Sequence, residues 1–87
     1  MIENTQWALA FKRSAPSMFD AAMRYILAPD FTVVIIRTDE LNADENVYAL
    51  LVNIGGEDID FWLEAFISRQ EAINRCDEMG WKHVIRC

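Results

Sequence analysis

The chain has 87 residues, of which 53% are hydrophobic, and a formal net charge of −6. This length and apolar content predict one compact domain over residues 1–87 and exclude a disordered segment. No apolar run approaches the roughly 20 residues that span a bilayer, and the N-terminus lacks the basic and hydrophobic regions of a secretory signal. We therefore expect a cytoplasmic protein. The scattered lysines and arginines argue against direct binding to nucleic acid or to an anionic membrane.

The first elements of the chain are a short apolar segment and an amphipathic helix. Segment 6–12 fits a strand or a helix, and we favour the strand. Residues 17–28 are predicted to be helical, with Ser17 as the N-cap and Asp20 in the first turn, and Pro29 ends the helix. The helical spacing i, i+3, i+4, i+7, i+8 is carried by the apolar residues Phe19, Ala22, Met23, Ile26 and Leu27.

Three strands are predicted in the middle of the chain. Residues 31–36 are rich in β-branched side chains and apolar on both sides, which is typical of a strand buried on both faces. A second apolar run, 47–54, ends at Gly55 and Gly56, a pair suited to a tight turn with positive φ. Segment 58–67 fits either a strand or part of a long helix. We favour the strand for two reasons. Gly55 and Gly56 indicate a hairpin turn before this segment, and the capping box at Ser68 indicates that a helix begins only after it.

A third group of signals predicts a helix and a final strand. Ser68 and Glu71 form a capping box at the start of helix 69–79, and Gly80 supplies a left-handed stop. Residues 81–86 would place Trp81, His83 and Ile85 on one side of a strand and Lys82, Val84 and Arg86 on the other. This alternation predicts a partly exposed terminal strand.

These elements follow one another in the order strand, helix, strand, strand, strand, helix, strand. The order predicts a small α+β domain in which two helices pack on one face of a mainly antiparallel sheet.

No set of residues has the pattern of a catalytic or cofactor site. His83 is the only histidine, so neither a catalytic triad nor a histidine pair for zinc can be assembled. Cys76 falls on the apolar stripe of a helix, where burial makes a thiol unreactive, and Cys87 is the last residue. We predict that the protein is not an enzyme and holds no cofactor or metal.

The most distinctive feature of the sequence is its distribution of charge. Residues 38–68 contain no lysine or arginine, yet they hold eight carboxylates. The pairs at 39–40 and 44–45 lack the spacing and the glycine of a calcium loop, so this segment is predicted to bind protein rather than metal. The predicted partner-binding carboxylates are Asp39, Glu40, Asp44, Glu45, Glu57, Asp58, Asp60 and Glu64.

An aromatic residue lies among these acids. As a strand, segment 58–67 would place Asp60, Trp62 and Glu64 on one face, with Tyr48 on the neighbouring strand. Aromatic side chains supply contact area and carboxylates supply orientation, so this arrangement is typical of a protein-binding patch. The alternative is that Trp62 belongs to the core and the acids form a solvated rim.

The charge distribution predicts a protein-binding module whose partner is a basic protein surface, in particular one that otherwise holds nucleic acid. Such a module competes with DNA or RNA by presenting carboxylates where phosphates would lie. In size and acidity the chain resembles the small inhibitors encoded by phages and mobile elements, including anti-CRISPR and other anti-defence proteins. No motif matches a particular family, and no functional residue is carried over. The alternative is a homodimeric structural or accessory protein whose acids only maintain solubility.

Overall fold

Three helices and four strands make up the parts of the chain that the structure, a computed structural model, describes, namely residues 6–41 and 46–87. None of the described helices is long and apolar enough to cross a membrane. The α+β class, with helices packed against a mainly antiparallel sheet, is confirmed. In chain order the elements are α1 (Gln6–Ser14), α2 (Pro16–Ile26), β1 (Phe31–Thr38), β2 (Val47–Ile54), β3 (Glu57–Phe66), α3 (Arg69–Met79) and β4 (His83–Ile85).

The four strands form one mixed sheet in the order β3-β2-β1-β4. Strand β2 is antiparallel to both of its neighbours, whereas β4 runs parallel to β1, with His83 opposite Val33. The pairing of β2 with β3 is interrupted twice by register shifts. Strands β3 and β4 are therefore the two edges of the sheet, and β3 is the longer and the more irregular of them.

The first element is a helix, so the strand predicted for segment 6–12 is wrong. The segment 6–14 contains no glycine, proline or β-branched residue, and alanine, leucine, lysine and arginine are good helix formers. Lys12 and Arg13 occupy the last turn, where positive charge favours the helix dipole. Trp7 and Ala8 are buried in the core. Local propensity therefore favours the helix, and the burial of Trp7 and Ala8 stabilises it.

Helix α2 begins at Pro16, one residue before the predicted N-cap. Proline suits the first helical position because its missing N–H would have no partner there. The N-cap is Ala15, and no side chain caps the helix, so the role predicted for Ser17 is wrong. No acidic residue lies in the first turn, which also corrects the place assigned to Asp20. The helix ends at Ile26, before Pro29 is reached.

Helix α3 has the boundaries and caps that the sequence predicts. The Ser68 hydroxyl accepts a hydrogen bond from the Glu71 N–H at 3.2 Å, and Gly80 adopts φ 73° at the C-cap. The Trp81 N–H donates to the Cys76 carbonyl at 2.9 Å. These bonds satisfy backbone groups that a helix end would otherwise leave unpaired.

The β2–β3 hairpin confirms the strand interpretation of segment 58–67. Gly55 and Gly56 have φ values of 61° and 88°, as the predicted turn requires. The Gly56 N–H donates to the Asn53 side-chain oxygen at 3.0 Å, and the Asn53 amide donates to Asp58 at 2.8 Å. The turn is therefore held by side-chain as well as backbone bonds.

All three helices lie on one face of the sheet. Their buried residues form a cluster with alternate residues of the strands, and the indole rings of Trp7 and Trp81 meet edge to face at 5.0 Å. Burying one side chain of leucine size contributes about 1.5–3 kcal/mol. The buried residues of this cluster are Trp7, Ala8, Ala22, Ile26, Val33, Ile35, Leu50, Val52, Phe61, Leu63, Ala72, Cys76 and Trp81.

Candidate protein-binding surface

The acidic residues lie at two opposite ends of the sheet. Asp39 and Glu40 follow the last residue of β1, whereas Glu57 and Asp58 begin β3 at the hairpin. Because β1 and β2 are antiparallel over eight residues, roughly 26 Å of strand separates these ends. The predicted acids at 44 and 45 lie outside the described residues. The acids that the structure describes are thus not brought together on one continuous surface.

A β-bulge separates Glu64 from the other acids of β3. Trp62 pairs with Leu51 and Ala65 with Ala49, so three steps along β3 match two along β2. The extra residue shifts the alternation of the side chains beyond Leu63 by one position. Glu64 therefore points towards the helices, whereas Asp60 keeps the parity of Trp62. The prediction that Glu64 shares a face with Trp62 is wrong.

Tyr48 also lies apart from Trp62. It is opposite Phe66 in the sheet, and both rings pack against the helix-covered core. Tyr48 shares its face with Leu50, whereas Trp62 shares the other face with Leu51. The predicted aromatic pair is not formed.

Glu64 is half-buried and only partly neutralised. Its Oε2 lies 3.4 Å from the Arg75 guanidinium, which also lies over the Phe66 ring. Oε1 is buried and has no hydrogen-bond partner among the described residues. Burial raises the pKa of Glu64, and the charge of Arg75 opposes this rise while that of Glu78 adds to it. An unpaired buried acceptor costs about 1–3 kcal/mol, so this carboxylate is held at the expense of stability.

Asp58 is the opposite case, an exposed carboxylate with several donors. Arg86 bonds it with two nitrogens at 2.5 and 3.2 Å, and Asn53 donates a third bond. The hydrogen bonds from Arg86, and then from Asn53, lower the pKa of Asp58, while Asp58 raises the pKa of Arg86. Since Arg86 follows β4, this pair joins the two edges of the sheet on its helix-free face. Val34 and Leu51, on the strands between, are only 1% and 8% exposed.

Four of the predicted partner-binding acids remain exposed and without an ion pair among the described residues. They lie after β1 and along the first half of β3. One of them, Asp60, is two positions from the partly exposed Trp62 on the same face of the edge strand. These exposed acids are Asp39, Glu40, Glu57 and Asp60.

A cavity lies between α1 and β3, and Arg75 of α3 forms part of its wall. Its volume is about 420 Å³, within the usual range for binding pockets. The sequence analysis did not predict this cavity, because a strand over residues 6–12 would not place residues 7, 10, 11 and 14 on one side. Their spacing is that of one face of a helix. The lining residues are Gln6, Trp7, Ala10, Phe11, Ser14, Leu63, Glu64 and Arg75.

The side chains of Cys76 and His83, which the sequence analysis weighed for catalysis, differ in their surroundings. Burial raises the pKa of Cys76 to about 12, with smaller contributions from the charges of Asp77 and Glu64. A thiol with this pKa is almost wholly protonated at neutral pH and is a poor nucleophile. His83 is partly buried, and its Nδ1 lies 3.3 Å from the Trp81 carbonyl oxygen.

Known proteins offer no direct guide to the role of this surface. No family model, no curated protein and no solved structure matches the chain.

Proposed function

We propose that the protein is a protein-binding module that recognises a basic protein surface through strand β3. The observation that carries this proposal is the position of Asp60 and Trp62, which lie two residues apart on the same face of an edge strand. Asp60 is exposed and has no ion pair among the described residues, and the indole beside it is partly exposed. An indole contributes contact area, while an unpaired carboxylate contributes orientation and the rate of association.

The more specific form of the proposal is an inhibitor of a nucleic-acid-binding protein, of the anti-CRISPR or another anti-defence type. Its support is the net charge of −6 and the absence of lysine and arginine from residues 38–68. Because the exposed acids lie at both ends of the sheet, such an inhibitor contacts two separate basic patches on its target. It is then expected to displace nucleic acid from that target, which a gel-shift competition measures.

The test of protein binding compares how well the wild type and three variants capture a partner from a lysate of the source cells. D60K and W62A remove the two features that carry the proposal. D20K changes the net charge as much as D60K does, but on an exposed position of α2. We expect the wild type to capture a partner that is released as the salt concentration rises. D60K and W62A should fail to capture this partner, and D20K should retain it.

Two outcomes would contradict this proposal. Equal loss of the partner with D20K and D60K would mean that only net charge matters. Absence of any salt-sensitive partner would leave no basis for a protein-binding role.

A second candidate function, a homodimeric structural or accessory protein, is favoured by the other edge of the sheet. Strand β4 has three residues, and Val84 and Ile85 in it are 50% and 45% exposed. A second copy would cover these apolar side chains. This candidate predicts a dimer that light scattering detects at all salt concentrations and that V84K dissociates.

A further inference from the structure

We propose that the free edge of β3 and the adjoining cavity bind an extended, basic segment of the partner by strand addition. This inference depends on the proposed function and specifies how the partner is held. In strand addition the peptide forms main-chain hydrogen bonds with an exposed edge, and alternate side chains enter pockets beside it.

The first observation is the edge itself. Strand β3 has ten residues and is the last strand on its side of the sheet. Within residues 6–41 and 46–87, no strand pairs with its outer side. An edge of this kind leaves a row of N–H and C=O groups without strand partners, which is a template for another extended chain.

The second observation is the cavity between β3 and α1. Leu63 forms its wall on the strand side, and Trp7, Ala10 and Phe11 form its wall on the helix side. Every second side chain of a strand added to β3 points towards the helices, so one of them meets this cavity. A volume of about 420 Å³ accommodates an aliphatic or aromatic side chain. The site therefore selects a segment with one apolar residue at that position.

The third observation is the sign of the charge along this edge. Glu57 and Asp60 are exposed without ion pairs among the described residues, and Glu64 at the cavity is only partly neutralised by Arg75. Lysine or arginine on either side of the apolar residue would lie on the helix-free face, where Asp60 lies, and would complement it. A second copy of β3 in symmetric pairing would instead place carboxylates opposite carboxylates, which is unfavourable. The charge thus favours a basic partner over a second copy of this edge.

The test uses three synthetic peptides and the isotope-labelled protein. The first peptide is acetyl-Lys-Thr-Lys-Leu-Lys-Thr-Lys-amide, the second has glutamate in place of each lysine, and the third is the first with alternate backbone nitrogens methylated. The readout is the set of backbone amide and indole N–H resonances. We expect the first peptide alone to shift the β3 amides and the indole resonance of Trp7.

A matched pair of variants tests the cavity. A10F fills it from α1, whereas L9F places the same side chain on an exposed neighbouring position that does not line it. A10F is expected to weaken binding of the first peptide about tenfold, the effect of losing one buried apolar side chain, and L9F to leave it unchanged. Both variants are first compared with the wild type by circular dichroism, and W7F assigns the indole resonance.

Each remaining outcome overturns the inference. These are the absence of shifts in β3, equal binding of the methylated or acidic peptide, equal effects of A10F and L9F, and peptide-independent self-association through β3. If D60K abolishes partner capture while A10F does not alter it, protein binding stands and strand addition fails. If no partner is captured but the first peptide binds as expected, the failure concerns the proposed cellular role alone.

Discussion

Asp58 and Glu64 lie six residues apart on the same strand, yet their surroundings have opposite effects. Asp58 is exposed and receives hydrogen bonds from Arg86 and Asn53, which lower its pKa. Glu64 is half-buried, faces an arginine at 3.4 Å and keeps one oxygen without a hydrogen-bond partner among the described residues, and burial raises its pKa. The two side chains carry the same formal charge. Their pKa values shift in opposite directions because they differ in solvation and in the number of hydrogen-bond donors.

The comparison shows that a run of carboxylates in a sequence is not by itself an anionic surface. Among the described residues, two of the predicted acids form ion pairs with arginines from other elements, and one of these two points towards the helices. The charge that remains exposed is therefore that of the acids without an ion pair among the described residues, and one of them, Asp60, lies two positions from Trp62.

The same contrast gives the two carboxylates opposite effects on stability as pH changes. The stabilisation from Asp58 is present above its unfolded pKa, near 3.8, and is lost as pH falls through the lower folded value. Glu64 has a folded pKa above its unfolded value of 4.5, so folding favours its protonated form. The fold loses that contribution as pH rises through the folded pKa.

The largest expected effect is a difference in thiol reactivity between Cys76, in the helix-covered core, and Cys87, the last residue of the sequence. With a pKa of about 12, Cys76 is thiolate in roughly one molecule in ten thousand at pH 8, and it is buried. Cys87 is exposed. We expect one thiol per chain to react with a chromogenic disulfide reagent, and C87S to react only after unfolding. Rapid labelling of native C87S would show that the region around Cys76 is open.

The next largest effect is expected from R75A, which leaves Glu64 half-buried without its counter-charge. We expect the free energy of unfolding to fall by about 1–3 kcal/mol in urea titrations at pH 7. R69A removes the same charge from an exposed position of the same helix with no salt bridge among the described residues, and it serves as the control. Equal losses in R69A and R75A would remove the distinction between the two regions.

A smaller effect with a definite sign is expected from E64Q. The neutral amide imitates the protonated acid, so stability should no longer decline as pH rises above about 4.5. Urea titrations between pH 4 and pH 7, compared with wild type, measure this change. A steeper decline in E64Q than in wild type would mean that the ion pair with Arg75 outweighs the burial of the charge.

The smallest effect is expected from D58N, because Asp58 and Arg86 are exposed. Its stability should be slightly below wild type at pH 7, and the difference should disappear at pH values below the folded pKa of Asp58. R86A should produce a similar loss, and the double variant no more than either single change. Additive losses would indicate that the two side chains act independently.

Local signals were sufficient for much of the fold. The caps of α3 at Ser68 and Gly80 act on backbone groups within four residues, and the two glycines of the hairpin act on the turn that contains them. The strands were recognisable from runs of β-branched and apolar residues. For these elements the residues that decide the conformation are neighbours in sequence, so the sequence alone predicts them.

Tertiary contacts decided the remainder. Segment 6–14 has local helix propensity, and its helix is held in place by the burial of Trp7 and Ala8 against residues far along the chain. The direction of Glu64 depends on a one-residue bulge whose pairing partner is on another strand. The pair between Asp58 and Arg86 joins residues 28 positions apart. Such outcomes depend on long-range contacts and strand register, which periodicity does not encode, and they determine which carboxylates remain exposed.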